Sequence, residues 1–266
     1  MGVKTPLTLL QAQKLFNDFS FVRLAATNTG IIDTTYLVYG TSANYILKKY
    51  ERDIEEKIIF DAKLLKKLHT AGLNVSLLLA HSDQWYLYKR LKGSIPRTTK
   101  AFHLQAIGRF LNKFHHYSSH IGSQENFLQN YPLTEILREL KRTNYFYYKK
   151  LSCLTQLTQK CEGFIHGDIF KDNTLFNANK VAIFDFIDGG CGSFSFELGV
   201  VLLSFNQHKR KSYTQLLLKS YNQKKVKKIT LRELEKSMQD AAKLYSLLRI
   251  WHYKNTGKVK ELAKLW

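Results

Sequence analysis

The stretch Phe164-Ile-His-Gly-Asp168-Ile-Phe-Lys-Asp-Asn173, followed by Val181-Ala-Ile-Phe-Asp185-Phe186, decides how this chain is read. Two apolar, strand-like segments each end in an aspartate, and Asn173 stands between them. Transfer of a phosphoryl group from ATP needs few protein groups. One is a carboxylate that accepts or orients the acceptor hydroxyl, and the others are oxygen ligands that keep a divalent cation on the phosphates. Asp168 has the chemistry for the first, while Asn173 and Asp185 offer one neutral and one anionic oxygen for the second. His-Gly-Asp alone is weak, since Asp and Asn are ordinary turn residues. The joint spacing of the three groups, flanked by apolar strands, carries the reading.

Upstream of that block the first hundred residues read as strands around one helix. Phe21–Thr27, Thr34–Gly40 and Asn44–Tyr50 are β-branched and aromatic runs separated by Asn-Thr-Gly and Gly-Thr-Ser turns. Ile54, Ile58, Ala62, Leu65 and Leu68 share a helical face that ends at Gly72, and Val75–His81 and Gln84–Leu91 follow as extended runs. A loop with Gly93 and Pro96 is the expected hinge. Beyond it helices dominate: one marked by Phe102, Ala106, Phe110, Leu111 and Phe114, a longer one from Leu133 to about Cys161, another from Ser195, and a last one over Leu231–Tyr253. The expected fold is α+β and two-lobed, with a β-rich N-lobe over residues 1–92 holding one main helix, and a mostly helical C-lobe over 93–266.

The polar block resembles the HGDxxxxN and DFx signature of the aminoglycoside-phosphotransferase and choline-kinase superfamily, relatives of the protein kinases. His166, Gly167, Asp168, Asn173, Asp185 and Phe186 match it in order and spacing. The resemblance implies a kinase using ATP and Mg²⁺. It makes Asp168 the base, His166 the residue that orients the loop, and Asn173 and Asp185 the metal ligands. It also implies that Lys48 pairs with the nucleotide phosphates, although by residue type Lys48 and Lys49 are equal candidates on opposite strand faces. The turn around Gly30 resembles the loop over the phosphates, and Asp61 is the helix acid expected to hold Lys48, with Glu55 and Glu56 as alternatives. Glu197 aligns with an acid that braces the catalytic loop, and an acid at a helix start is favoured by the dipole alone. No GxxxxGK[ST] motif occurs, which disfavours a P-loop ATPase.

Tyr88–Gly93, Ile107–His115 and Leu247–Trp251 are similar to the kinase-like homoserine kinases, whereas Ile187–Ser193 departs from them. A homoserine acceptor needs a cation for its carboxylate and an acid for its ammonium, for which Arg249 and Asp188 are the candidates. Choline would want aromatic faces, and Tyr245, Trp251 and Tyr253 keep that acceptor open. Aminoglycosides, as polycations, would want a run of acids near the cleft, and the last hundred residues are acid-poor. A non-catalytic anion-binding protein on the same fold is the alternative of another class.

The net charge of +20 invites a polyanion, but only ten of the 41 basic residues are arginine, and no Arg-rich recognition stretch occurs. Nucleic acid is therefore not the expected partner; a small hydroxylated molecule is. One stretch stands out, Lys209 to Lys228, with eight basic residues and no acid. Three cysteines without a CxxC pair argue against a disulfide framework and for a reducing cytoplasm. No apolar run is long enough to span a bilayer.

Overall fold

The computed structural model describes residues 3–27, 32–121, 125–206, 210–223, 228–254 and 256–266. The chain divides into two compact units, Met1–Gly93 with Ala182–Ile187, and Ser94–Val181 with Asp188–Trp266.

The first unit is built on strands β1 (Phe21–Ala26), β2 (Thr34–Gly40), β3 (Asn44–Lys49), β4 (Leu78–Ser82) and β5 (Trp85–Lys89). They form one antiparallel sheet in the order β1-β2-β3-β5-β4. Alternation assigns its faces. Tyr36 and Val38 of β2, Tyr45 and Leu47 of β3, and Trp85 and Leu87 of β5 pack with Ala12 and Phe16 beneath helix α1 (Leu9–Leu15). Lys48 falls between Leu47 and Lys49 and so belongs to the opposite face. Tyr50 and Tyr86 meet Ile58 of α2 (Glu55–Thr70) and Ile187 in a second small core. Glu55 and Glu56 in the first turn of α2 and Lys67 and His69 in its last turn complement the helix dipole. Gly72, at φ 76°, ends the helix.

The second unit holds α3 (Ala101–Ser118), α4 (Leu133–Thr143), α5 (Tyr145–Leu151), the strand pair β6 (Gly163–Ile165) and β9 (Gly190–Gly192), β7 (Thr174–Asn177), α6 (Phe194–Phe205), α7 (Lys211–Tyr221), α8 (Leu231–Tyr253) and α9 (Lys260–Ala263). Strand β8 (Lys180–Ile183) pairs with β7 and carries the chain into the first unit. Its core joins Phe127, Ile136, Leu140, Phe196, Val200 and Leu203 to Ala241, Tyr245 and Leu248 of α8. A Cβ at Gly199 would meet the Met238 backbone nitrogen at 2.8 Å, so glycine lets α6 lie directly on α8. Helix α8 opens with a reciprocal cap between Thr230 and Glu233.

This is the two-lobed α+β architecture expected from the sequence. Two details differ. The single helix expected from Leu133 to about Cys161 is broken at Asn144, whose side chain accepts the Tyr147 N–H and starts α5 as a separate helix. The expected lack of disulfide bonding is also corrected. Cys161 and Cys191 are bonded beside the β6–β9 pair, with Cα atoms 5.1 Å apart, and Cys153 is a free thiol. No helix among the described residues is long and apolar enough to cross a membrane.

Candidate active site

The His166–Asn173 loop leaves β6 and is held along its whole length. Gly167 sits at φ 76°, and a Cβ there would collide with the Phe127 ring, so any other residue is strained at this position. Its N–H donates to Glu197 Oε1 at 2.8 Å, and its carbonyl accepts the Tyr245 hydroxyl. Glu197 is fully buried, and its Oε2 accepts from His115 Nε2 at 2.5 Å; His115 Nδ1 in turn meets the Tyr221 hydroxyl at 2.9 Å. The far end of the loop is pinned by Ser204, whose Oγ accepts the Lys171 N–H at 3.0 Å. Glu197 and Ser204 lie seven residues apart on one face of α6, about 10 Å along its axis, so one rigid helix splints both ends of the loop.

Within this frame Asn173 Nδ2 donates to the Asp168 backbone carbonyl at 2.8 Å and to Asp168 Oδ2 at 2.9 Å. His166 is buried, and its Nδ1 accepts the Asp168 N–H at 3.2 Å; the ring thus orients the loop as a hydrogen-bond acceptor. The Asp168 carboxylate is therefore presented in one orientation, partly exposed. Phe170 stacks edge-on with Tyr245 at 4.8 Å, and the Arg249 guanidinium lies 5.6 Å from the Phe170 ring. Burial, first, and the charges of Tyr131 and Asp168 hold the Tyr245 phenol well above its ordinary pKa. It donates as a neutral hydroxyl. Arg249 thus shares a cluster with the loop that carries Asp168. Asp188 is half-buried, and its backbone carbonyl accepts from Asn130 at 2.8 Å.

In the first unit Lys48 Nζ lies 2.6 Å from Asp185 Oδ1 and 3.9 Å from Asp33 Oδ2. Burial works against the ammonium, but the charge and hydrogen bond of Asp185, with the charge of Asp33, outweigh it and raise the Lys48 pKa. Lys49, on the other face, reaches Thr5 Oγ1 at 3.4 Å. Asp185 is itself at φ 70°, a left-handed conformation that Asp tolerates better than most residues. Asp61 does not take the place expected for it. It is buried on α2, and its charge, after burial, helps hold the Tyr50 phenol well above its usual pKa. Asp33, the second carboxylate near Lys48, is fixed by the Glu51 N–H at 3.1 Å and Arg52 Nη2 at 3.3 Å. Glu55 and Glu56 lie in the first turn of α2, and Lys48 pairs with neither. Gly30 lies outside the described residues.

Sequence reasoning did not single out His115, Ser204 or Asp33. A histidine on an apolar helix face reads as core, and the serine as an interior helix residue. Asp33 could have been found three residues after Gly30, directly before the strand that begins at Thr34.

A family model described as phosphotransferase enzyme family matches residues 24–227. A homoserine kinase of Polaromonas naphthalenivorans (strain CJ2) is 26% identical over 196 residues, covering 65% of this chain and 62% of that protein, so the match spans less than two thirds of the relative. An ADP-bound aminoglycoside phosphotransferase, APH(2'')-Ib, shares the fold with a TM-score of 0.65 at 17% identity, over 97% of each chain. Choline kinase LicA from Streptococcus pneumoniae does so with a TM-score of 0.66 at 14% identity, over 96% of this chain and 98% of that one. The kinase-like fold, the oriented Asp168 and the match over most of the chain converge: this protein belongs to the phosphotransferase enzyme family.

Proposed function

We propose that the protein transfers the γ-phosphate of ATP to the hydroxyl of a small amino acid, with homoserine as the first candidate. The observation that carries this reading is the Asp168 carboxylate, fixed by Asn173 in a loop that Glu197 and Ser204 hold from behind. Asp168 accepts or orients the acceptor's hydroxyl proton, the hydroxyl oxygen bonds to the γ-phosphorus, and the bond to ADP breaks in line, without a phosphoenzyme. Lys48 is assigned to the phosphates. Asn173 and Asp185 offer an amide and a carboxylate oxygen, a donor set that fits a hard cation, and they would hold Mg²⁺, which supplies charge neutralisation on the phosphates. The amide nitrogen of Asn173 is committed to Asp168, which leaves its oxygen as the amide's ligand atom.

The cationic Arg249 in the cluster of Phe170 and Tyr245 supports an acceptor with a carboxylate, and Asp188 is assigned to its ammonium. Choline is supported less. Tyr245 is committed to the Gly167 carbonyl, Tyr253 is exposed, and at 100° per residue Tyr245, Trp251 and Tyr253 do not share one face of α8. The proposal places the reaction in the cytoplasm, where thiol reductants would open the Cys161–Cys191 bridge.

The test is product formation with Mg-ATP over homoserine, choline, ethanolamine and sugars. Homoserine phosphate is the expected product, and Asp168→Ala should lower kcat by about 10²–10⁴. Equal turnover in that variant refutes the role of Asp168. Arg249→Met should raise KM for homoserine more than it lowers kcat, and no product from any acceptor overturns the proposal as a whole.

A further inference from the structure

A cleft of about 230 Å³ lies in the second unit at the loop's Lys171 end, lined by Arg97, Thr99, Lys171, Ser204, Arg210 and Tyr213 among others. A water occupies about 30 Å³ of liquid, so this space suits a ligand of several heavy atoms. Three of its walls carry a cation and none carries a carboxylate. Among the described residues none of these three cations is in an ion pair. The Arg210 guanidinium lies 5.2 Å from the Tyr213 ring, and Lys171 Nζ lies 5.9 Å from the Phe205 ring.

The walls are tied together, so the cleft is built rather than incidental. The Tyr213 hydroxyl donates to the Thr99 carbonyl at 3.1 Å, joining α7 to the segment of Arg97. Asn206 receives the Arg210 N–H at 2.8 Å and donates to the Arg210 carbonyl at 3.0 Å and Thr214 Oγ1 at 3.1 Å. Ser204 both lines the cleft and holds the Lys171 N–H. The first turn of α7 also lines it, with no acid there, and a helix start favours negative charge. Three like charges converging on one polar concavity are mutually repulsive until an anion joins them, and forked arginines match phosphate oxygens.

We propose that this cleft is a second, non-catalytic site for a phosphate-bearing small molecule, distinct from the site of phosphoryl transfer. It also gives the start of the basic Lys209–Lys228 stretch a use; residues 207–209 and 224–227 lie outside the described ones. Because Lys171 belongs to the same short turn as Asn173, the ligand would be felt at the base of the catalytic loop.

Calorimetric titration of the whole protein with pyrophosphate and, in parallel, with phosphoserine as a phosphomonoester tests this. Pyrophosphate can also seat on the nucleotide residues, so Lys48→Ala is the necessary partner experiment. Binding should persist in Lys48→Ala and weaken about tenfold or more in each of Arg97→Gln and Arg210→Gln, the loss expected when a charge-assisted hydrogen bond is removed. Both arginines are exposed, so these variants should keep their melting temperature, which far-UV circular dichroism checks. Absence of binding by either probe overturns the proposal. So does binding that Lys48→Ala abolishes and the arginine variants leave unchanged.

Discussion

Replacing Glu197 by alanine should unfold the protein at a much lower temperature and disable whatever folded enzyme is left. The carboxylate is fully buried and accepts from Gly167 N at 2.8 Å and His115 Nε2 at 2.5 Å. Each hydrogen bond to a buried charge is worth about 1.5–3 kcal/mol, so losing two costs about 3–6 kcal/mol. Breaking a buried pair by removing one partner gives a similar figure, about 3–5 kcal/mol. That is a large share of a total stability of about 5–15 kcal/mol. At roughly 2–4 °C per kcal/mol for a chain of this size, a loss of about 4 kcal/mol lowers Tm by about 8–16 °C. Glu197→Gln keeps an oxygen for the Gly167 N–H and removes the charge, so its loss should be well under half of that. Thermal melts by far-UV circular dichroism measure both variants. At a temperature where both remain folded, kcat should fall more than KM rises, because the Gly167 tether orients Asp168. If Glu197→Ala melts within about 2 °C of the parent, the buried brace described here is wrong.

Gly167→Ala combines a left-handed backbone with a collision against Phe127, about 1–2 and 1–3 kcal/mol, and should cost about 2–5 kcal/mol in urea unfolding; a loss below 1 kcal/mol would sink the argument. Stability should fall steeply as pH rises above 10. The phenols of Tyr50, Tyr88, Tyr221 and Tyr245 are all raised, chiefly by burial, and the Lys48 ammonium is raised because Asp185 and Asp33 outweigh its burial. A raised folded pKa gives stability that is complete below the unfolded value and lost as pH climbs toward the folded one. A urea midpoint that is flat from pH 9 to 11 would contradict this, and Tyr88→Phe should make the slope shallower. The Cys161–Cys191 bridge closes a separation of 30 residues, which corresponds to about 3–4 kcal/mol by chain entropy. Reductant should therefore lower Tm as the free thiols rise from one to three; an unchanged Tm at three thiols refutes it.

What the sequence disclosed followed the range of each interaction. Asp168 and Asn173 are five residues apart in one loop, and a local spacing that exact is visible without a structure. The strands of the sheet were visible as β-branched and aromatic runs between turn signals, and α8 as a last helix over Leu231–Tyr253. Glu197 was half visible, because the dipole of α6 would place an acid there whatever it held. Lys48 was singled out over Lys49 only by the family resemblance, and its partners Asp33 and Asp185 sit on separate parts of the chain, where nothing local chooses them over Asp61. The cysteine pairing was hidden for the same reason: three thiols without a motif carry no connectivity.

The return of Ala182–Ile187 to the first unit sets the order in which that unit can be finished on the ribosome. Ile183 bridges Val75, Asp185 holds Lys48, and Ile187 completes the small core of Tyr50 and Ile58. A nascent chain that has released residues 1–93 has every strand of the sheet and still lacks this last strip. At roughly 5–20 residues per second, the missing piece follows about 5–20 s later. During that interval the small core of Tyr50 and Ile58 lacks Ile187, and Lys48 has only Asp33 of its two carboxylates. The first unit is thus begun first, but it is completed only at Ile187, after much of the second unit has been made. A fragment cut at residue 93 should be markedly less stable than the same residues in the whole chain.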